Sequence, residues 1–427
     1  MKKCWLLLLV ICCYSTVYSQ SVSSGDLLRA GMADERLQLQ QQLSSYARSL
    51  NYKSPLLRKV EARVGFNGST IGDTLFGTIR NEDFYGIVIS PNSLRERKRQ
   101  AALQRAQIGV YDSERAIVLQ EIMLERCETM IGLHFNAQLV ASYDSLLQLL
   151  DMRESTLGKM LDEGFEVKVK DALNTNDDRN TFEQRRRACV QSLAQQQMRL
   201  RQFLPDYNTP EWNDQTYIHT PTLRSRVEML RSMSAVFPEL AYTNAKTRLA
   251  AADVDLENAD NRQIFSFVQV GYEDPVLALE TPKNRKTFNN FSLRFGFQLP
   301  LPGNNNLRRS ESALKWRETQ NTVRTISLIN ERSVDLQLTK ITALLDRYEI
   351  TEQKNRTSLC SRMLDNTSLH AQLTSLEILD LRISRQKMNL QLIELEEEIH
   401  TEYLELLELK GALGQEPVRD YFSESGF

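Results

Sequence analysis

Residues 288–305, FNNFSLRFGFQLPLPGNN, break the pattern of the chain around them. Phe291, Leu293, Phe295, Phe297 and Leu299 are apolar, and Ser292, Arg294, Gly296 and Gln298 between them are polar or small. A period of two marks a strand, because successive side chains of extended backbone point to opposite faces. One face of this strand prefers an apolar medium and the other water, so the two media it separates decide the function.

Upstream, IFSFVQVGY (264–272) reads as a partner strand, and an earlier pair, VEARVGFNGS (60–69) and FYGIVISPN (84–92), repeats the arrangement. Val60, Ala62, Val64 and Phe66 alternate with Glu61, Arg63, Gly65 and Asn67. Polar loops join the partners, 68–83 in the first pair and 273–290 in the second. Both pairs exit in the same way: Gly86 leads to Pro91-Asn92 with Leu94-Arg95 after it, and Gly296 leads to Pro302 with Leu307-Arg308 after it. The chain is an internal duplication with a long period.

Four strands form an open sheet with unpaired backbone at its edges, which lipid does not tolerate; in a membrane, association of several chains must close it. Strands of about ten residues, tilted near 45°, span an outer-membrane apolar band of about 25 Å. Phenylalanine and leucine then face lipid, and serine, arginine and glutamine a wet lumen. A soluble hairpin packed on helices is the competing reading, since alternation alone does not separate lipid from a protein core.

The remaining sequence reads as long helices. Between Asn92 and Leu161 there is no proline, which allows about 100 Å of helix at 1.5 Å per residue. The stretch from Leu307 to Ser368 contains neither proline nor glycine. Helices of this length point to coiled-coil association. Leu103, Ala106, Val110, Ile117, Leu124, Cys127 and Ile131 recur on one flank, with Ala102, Val118, Met123 and Met130 on others, a distribution suited to a wall of helices round a tube. The first helix turns back within 162–178 and the second within 365–380, with return helices expected over Thr181 to Phe203 and Leu376 to Leu413, the latter ended by Gly414 and Pro417.

Lys2 and Lys3, the apolar run WLLLLVICC, and Val17 and Ser19 placed for cleavage before Gln20 have the layout of a secretory signal. Cys12 or Cys13 as a lipid-attachment site is the alternative, disfavoured by the bulk of Ile11 and Cys12 before them. Past the signal, Cys127, Cys189 and Cys360 are too scattered for a disulfide framework and are expected as buried small hydrophobes. The histidines have no ligand spacing to them, so no metal or other cofactor is expected. A net charge of -2 gives no reason to expect a nucleic-acid partner. No apolar run of membrane-helix length follows the signal, which leaves a β-barrel as the possible spanning element.

Taken in order, the duplicated strand pairs, the Pro-Asn and Pro-Gly exits into Arg-rich helices, PELAYTNAKTRLAAADVDLENA (238–259) and the closing LLELKGALG (406–414) resemble the outer-membrane efflux proteins, the TolC-like channels. The resemblance covers essentially the whole mature chain. It implies a mostly α fold with a small β part: long helical hairpins forming an α-barrel tunnel, and four strands per chain completing a twelve-stranded barrel in a homotrimer. It also implies a passive export duct in the outer membrane, docked to a periplasmic adaptor and an inner-membrane RND or ABC transporter. In that family acidic side chains narrow the periplasmic entrance, and the matching segment LTSLEILDLR (373–382) carries Glu377 and Asp380 at those positions. The turn before it has Gln372-Leu373-Thr374 where the family commonly has Gly-Thr-Arg. Gly164, Phe165, Gln372 and Leu373, at the two helical turns, are the expected adaptor contacts.

The expected organisation is a signal at 1–19, an N-terminal periplasmic helix at 20–59, the first strand pair at 60–91 and a helical hairpin at 92–204. A linker at 205–237, a helix at 238–263, the second strand pair at 264–302, the second hairpin at 303–413 and a tail at 414–427 complete it. No nucleophile, metal or phosphate-loop constellation points to an enzyme. A periplasmic coiled-coil adaptor or tether without a pore is the alternative function, for which two hairpins and two strand pairs are one set too many.

Overall fold

A computed structural model describes residues 20–50, 56–71, 78–207, 210–212, 217–260, 265–276, 291–297, 306–366 and 373–424. The expected signal, Gln298, Leu299 and Gln372 lie outside these residues, as do 72–77 and 277–290 of the strand-connecting loops. The elements run β1 (Gln20–Val22), α1 (Ser24–Met32), α2 (Glu35–Ser49), β2 (Leu57–Ile71), β3 (Thr78–Pro91), α3 (Leu94–Asp162), α4 (Val169–Phe203), β4 (Pro210–Trp212), α5 (Thr220–Ser232), α6 (Pro238–Asp260), β5 (Phe265–Val276), β6 (Phe291–Phe297), α7 (Asn306–Thr357), α8 (Leu359–Asp365) and α9 (Ser375–Leu409). They fall into two compact units, one of residues 1–41, 115–238 and 327–427, the other of 42–114 and 239–326.

The second unit holds a four-stranded antiparallel sheet in the order β2-β3-β5-β6. β2 and β3 are longer than expected: residues 68–71 and 78–83, read as loop, stay paired until Ile71 meets Thr78. Threonine and isoleucine at that end favour extended backbone, and the ladder continues through Gly68 and Asn81. Each hairpin carries a register shift at the start of its first strand, between Leu57 and Lys59 in β2 and between Phe265 and Phe267 in β5. The duplication therefore reaches to the level of a single extra residue, the β-bulge.

The first unit is helical, with a core that includes Leu27, Ile122, Met130, Phe135, Ile341, Ile399, Tyr403 and Phe422. Along α3, Ile122, Met123, Arg126, Cys127, Thr129, Met130 and Ile131 are all buried, which covers more than one flank of the helix. Residues 205–237, expected as a linker, contain β4, paired in parallel with β1, and α5. Ile218 N–H donates to the Phe422 carbonyl at 2.8 Å, so the C-terminal tail is tied to this segment. The N-terminal segment, expected as one helix, holds two helices.

Three helix boundaries differ from expectation. The return helix α4 starts at Val169 instead of Thr181, since the polar run 170–180 lies on one unbroken helix. The α7 helix stops at Thr357: the Ser358 hydroxyl accepts from Ser361 N–H at 3.1 Å and caps a new short helix, α8. Serine competes with the helical backbone in this way, and no glycine or proline was needed for the break. The α9 helix ends at Leu409 with Gly411, not Gly414, in the left-handed conformation at φ 66°. Ala412 N–H donates to Leu407 O at 2.9 Å and Gly411 N–H to Glu408 O at 2.8 Å, a Schellman closure. Cys127 is buried as expected, whereas Cys189 and Cys360 are half-buried.

Candidate functional site

The register of the sheet sorts its side chains into two faces. On one, four-residue rows run straight across the strands: Val60, Ile89, Val268 and Phe295; Ala62, Ile87, Val270 and Leu293; Val64, Tyr85, Tyr272 and Phe291. Every member is apolar or aromatic. Phe291, Leu293, Phe295 and Phe297 are 64%, 59%, 52% and 67% exposed, which places the four described residues of the expected lipid-facing set on one open face. On the other face the rows are Glu61, Val88, Gln269 and Arg294, and Arg63, Gly86, Gly271 and Ser292. Here Lys59 and Arg63 both pair with Glu61, the latter at 3.1 Å. On the two central strands Val88 and Gln269 of this face are only 3% and 5% exposed, whereas Arg63 and Arg294 on the edge strands are exposed.

The bulge in β5 has a consequence that strict alternation does not give. Phe265 pairs with Phe297 on the apolar face, but Phe267 pairs with Gly296 on the polar face. A Cβ on Gly296 would lie 2.2 Å from the Phe267 ring, so the glycine makes room for the aromatic. The signal for this was present as glycine inside a strand opposite an aromatic, but the pairing that gives it meaning is not local.

Glu377 and Asp380 sit in the first turns of α9 and have distinct local roles. Thr374 and Glu377 form a capping box: Thr374 N–H and hydroxyl both donate to Glu377 Oε2 at 2.8 Å, and Glu377 N–H donates to Thr374 Oγ1 at 3.3 Å. The Thr374 backbone N–H, with its hydroxyl, holds the Glu377 carboxyl below the usual carboxylate range. Asp380 makes an ion pair with Arg153 of α3 at 2.7 Å. Arg153 is largely buried and also donates to Thr175 Oγ1 of α4 at 2.7 Å, so the start of α9 is tied to both helices of the first hairpin. Sequence reasoning missed Arg153 because only folding brings residues 153, 175 and 380 together.

At the turn of the first hairpin, Gly164 has φ 82°; its N–H donates to Leu161 O at 3.1 Å, and Phe165 N–H donates to Met160 O at 2.8 Å, a second Schellman closure. Phe165 is exposed, and Leu373, beside the capping box, is half-buried. Among the described residues no helix is long and apolar enough to cross a membrane.

Searched by sequence, the chain matches no protein-family model and no curated protein. Its fold is similar to solved structures along nearly the whole chain. The channel protein CusC matches with a TM-score of 0.63 at 13% identity, over 92% of this chain and 93% of that one. The outer membrane protein VceC of Vibrio cholerae matches at 0.62 and 14% identity, over 91% and 96%. The CmeC outer membrane channel of Campylobacter jejuni matches at 0.61 and 10% identity, over 95% and 87%. The chain thus has the fold of the TolC-like outer-membrane efflux channels, mostly helical with a small four-stranded antiparallel sheet.

Proposed function

We propose that this chain is one subunit of a homotrimeric outer-membrane channel, a passive export duct of a tripartite efflux or type I secretion system. The observation that carries the reading is the sheet: each of the three rows that cross all four strands on its exposed face is apolar, and β2 and β6 stand at its two edges. An apolar face of this extent is unfavourable in water, and open edges are unfavourable in lipid. Closing three sheets edge to edge into a twelve-stranded barrel removes both problems, with Phe291, Leu293, Phe295, Phe297 and Leu299 toward lipid. The fold shared with proteins described as an outer membrane protein and an outer membrane channel supports the same conclusion.

In this reading the helical turns face the periplasm, where Gly164, Phe165, Gln372 and Leu373 meet an adaptor that couples the duct to an RND or ABC inner-membrane transporter. Glu377 and Asp380 from three chains line the entrance, and Arg153 offsets part of their charge. The duct supplies no chemistry of its own; its partners supply the energy.

Reconstitution into planar bilayers tests the reading. The expected result is a heat-sensitive trimer extracted only by detergent, which conducts and prefers cations. Replacing Glu377 and Asp380 together by Gln and Asn should lower the cation preference and relieve block by multivalent cations. A freely soluble chain that never conducts would overturn it.

A further inference from the structure

A polar cleft of about 540 Å³ in the second unit has no part in the channel argument so far. Its walls include Arg95, Lys98 and Arg99 from the first turns of α3, Asp255 and Asn258 from the end of α6, and Arg309 from the first turn of α7. Asp255 is occupied by Arg99 at 2.6 Å. Among the described residues, Arg95, Lys98 and Arg309 have no carboxylate partner, and all three are exposed. Three unneutralised cations from two helices therefore converge on one concave site with a single, already paired, acid.

The position of the cleft is as informative as its charge. Arg95 follows the end of β3 at Pro91 by four residues, and Asn258 precedes the start of β5 at Phe265 by seven. The α3 and α6 walls thus reach to within seven residues of where a strand leaves or enters the sheet, and Arg309 follows the end of β6 at Phe297 by twelve. If the strands cross a bilayer, as proposed above, the cleft lies at headgroup depth on the side from which the helices extend. Guanidinium groups match phosphate oxygens with paired hydrogen bonds, and a lysine adds a point charge beside them. Basic pockets at this depth recognise anionic headgroups.

We infer that the cleft binds a phosphate group, and that in the membrane this is the headgroup phosphate of an anionic phospholipid. The inference rests on the channel reading for its lipid source but not for its anion chemistry. Recognition is by Arg95, Lys98 and Arg309; the Arg99–Asp255 pair sets the floor of charge and Asn258 offers a neutral hydrogen-bonding side chain.

The test uses the full, delipidated chain in detergent, titrated with phosphatidylglycerol, with diacylglycerol lacking phosphate, and with inorganic phosphate, read by native mass spectrometry. Phosphatidylglycerol should stay bound where diacylglycerol does not, and Arg95→Gln/Lys98→Gln/Arg309→Gln together should weaken it by about tenfold or more. The charge-preserving set Arg95→Lys/Lys98→Arg/Arg309→Lys should retain binding, which separates loss of charge from loss of fold. Removing three exposed cations elsewhere, with Lys170→Gln/Arg199→Gln/Arg201→Gln, should change nothing. Equal binding by the wild type and the first triple variant overturns the site, as does an equal loss in the Lys170 set. Inorganic phosphate that binds in the cleft while phosphatidylglycerol shows no preference for it overturns the headgroup assignment. Conductance measured in parallel separates the two readings: a conducting trimer with no cleft-dependent lipid binding sinks this inference alone, and a non-conducting chain that still binds phosphate through these cations sinks the channel alone.

Discussion

The two halves of the chain agree closely at their strands and diverge at their helical turns. Both hairpins of the sheet place a bulge at the start of the first strand, at Leu57–Lys59 and at Phe265–Phe267, and both leave an apolar residue, Leu57 or Phe265, on the apolar face. By contrast, α3 runs 69 residues without interruption to a glycine closure at Gly164, whereas α7 breaks at Ser358 and α9 opens with a Thr374 capping box. A sheet with one apolar and one polar face admits few registers, because a one-residue slip would turn every phenylalanine to the wrong side. A helical turn at the end of a hairpin carries no such constraint and is free to differ between the halves.

The same contrast separates two glycines that close helices in the same way. At Gly411, φ is 66° and a Cβ would lie 1.7 Å from the Val236 carbonyl oxygen, whose own N–H donates to Lys410 O at 3.1 Å. At Gly164, φ is 82° and the surroundings are open. Gly411→Ala is therefore expected to cost about 4 kcal/mol or more and to prevent stable folding of the helical unit. Gly164→Ala meets only the backbone penalty of about 1 kcal/mol. Denaturant midpoints of the two variants check this, and similar losses would mean that contact with Val236 does not distinguish the sites.

A second break point is the apolar face. Phe295→Lys should cost roughly 2 to 4 kcal/mol if the residue sits near a bilayer midplane, and lower the yield of assembled trimer. Arg294→Gln, one residue away on the opposite face, should leave assembly within about 0.5 kcal/mol of wild type. Equal tolerance at both positions would favour a sheet standing in water. Cysteine at Thr78 or Asn284 should react with impermeant thiol reagents on intact cells, and labelling only after the outer membrane is broken would reverse the orientation.

The buried seam between the halves gives a pH-dependent test. His400 of α9 lies against Phe135 of α3 and Phe422, with Tyr217 Oη 3.1 Å from its Nδ1 and Thr220 Oγ1 3.4 Å from its Nε2. Burial pulls its imidazole down from 6.5 to about 3, with the nearby His134 and His219 acting in the same direction. The folded chain thus keeps His400 neutral while the unfolded chain protonates it, so its contribution is full above pH 6.5 and lost progressively as pH falls toward 3. At pH 5 the loss is about 2 kcal/mol. His400→Gln should flatten the stability–pH curve over that window, and an unchanged slope would assign the acid sensitivity to other groups.

Modest effects are expected where the halves diverge. Thr374→Ala removes the cap of α9 and should cost about 1 kcal/mol. Arg153→Gln frees the Asp380 carboxylate and should raise cation preference in bilayers, opposite in sign to removing Glu377 and Asp380. If Arg153→Gln and Asp380→Asn shift selectivity in the same direction, their pairing does not control the entrance charge.

The sequence by itself determined the types of the long elements, the strands of the sheet and the helices of the hairpins, and their duplication, but not the strand and helix inside 205–237. Alternation in FSLRFGF marked β6 and its apolar face, since the period of a strand is a property of the backbone and needs no partner. Long runs without proline marked α3 and α7 for the same local reason. The bulge that turns Phe267 over Gly296, the break at Ser358, the closure at Gly411 in place of Gly414 and the Arg153–Asp380 pair were decided only by tertiary structure. Each depends on atoms tens or hundreds of residues apart, or on a competition between nearly equal local hydrogen bonds that packing resolves. A strand's face can be read from its own residues, but which residue shifts its register, caps a helix or meets a buried arginine is settled by what the fold brings beside it.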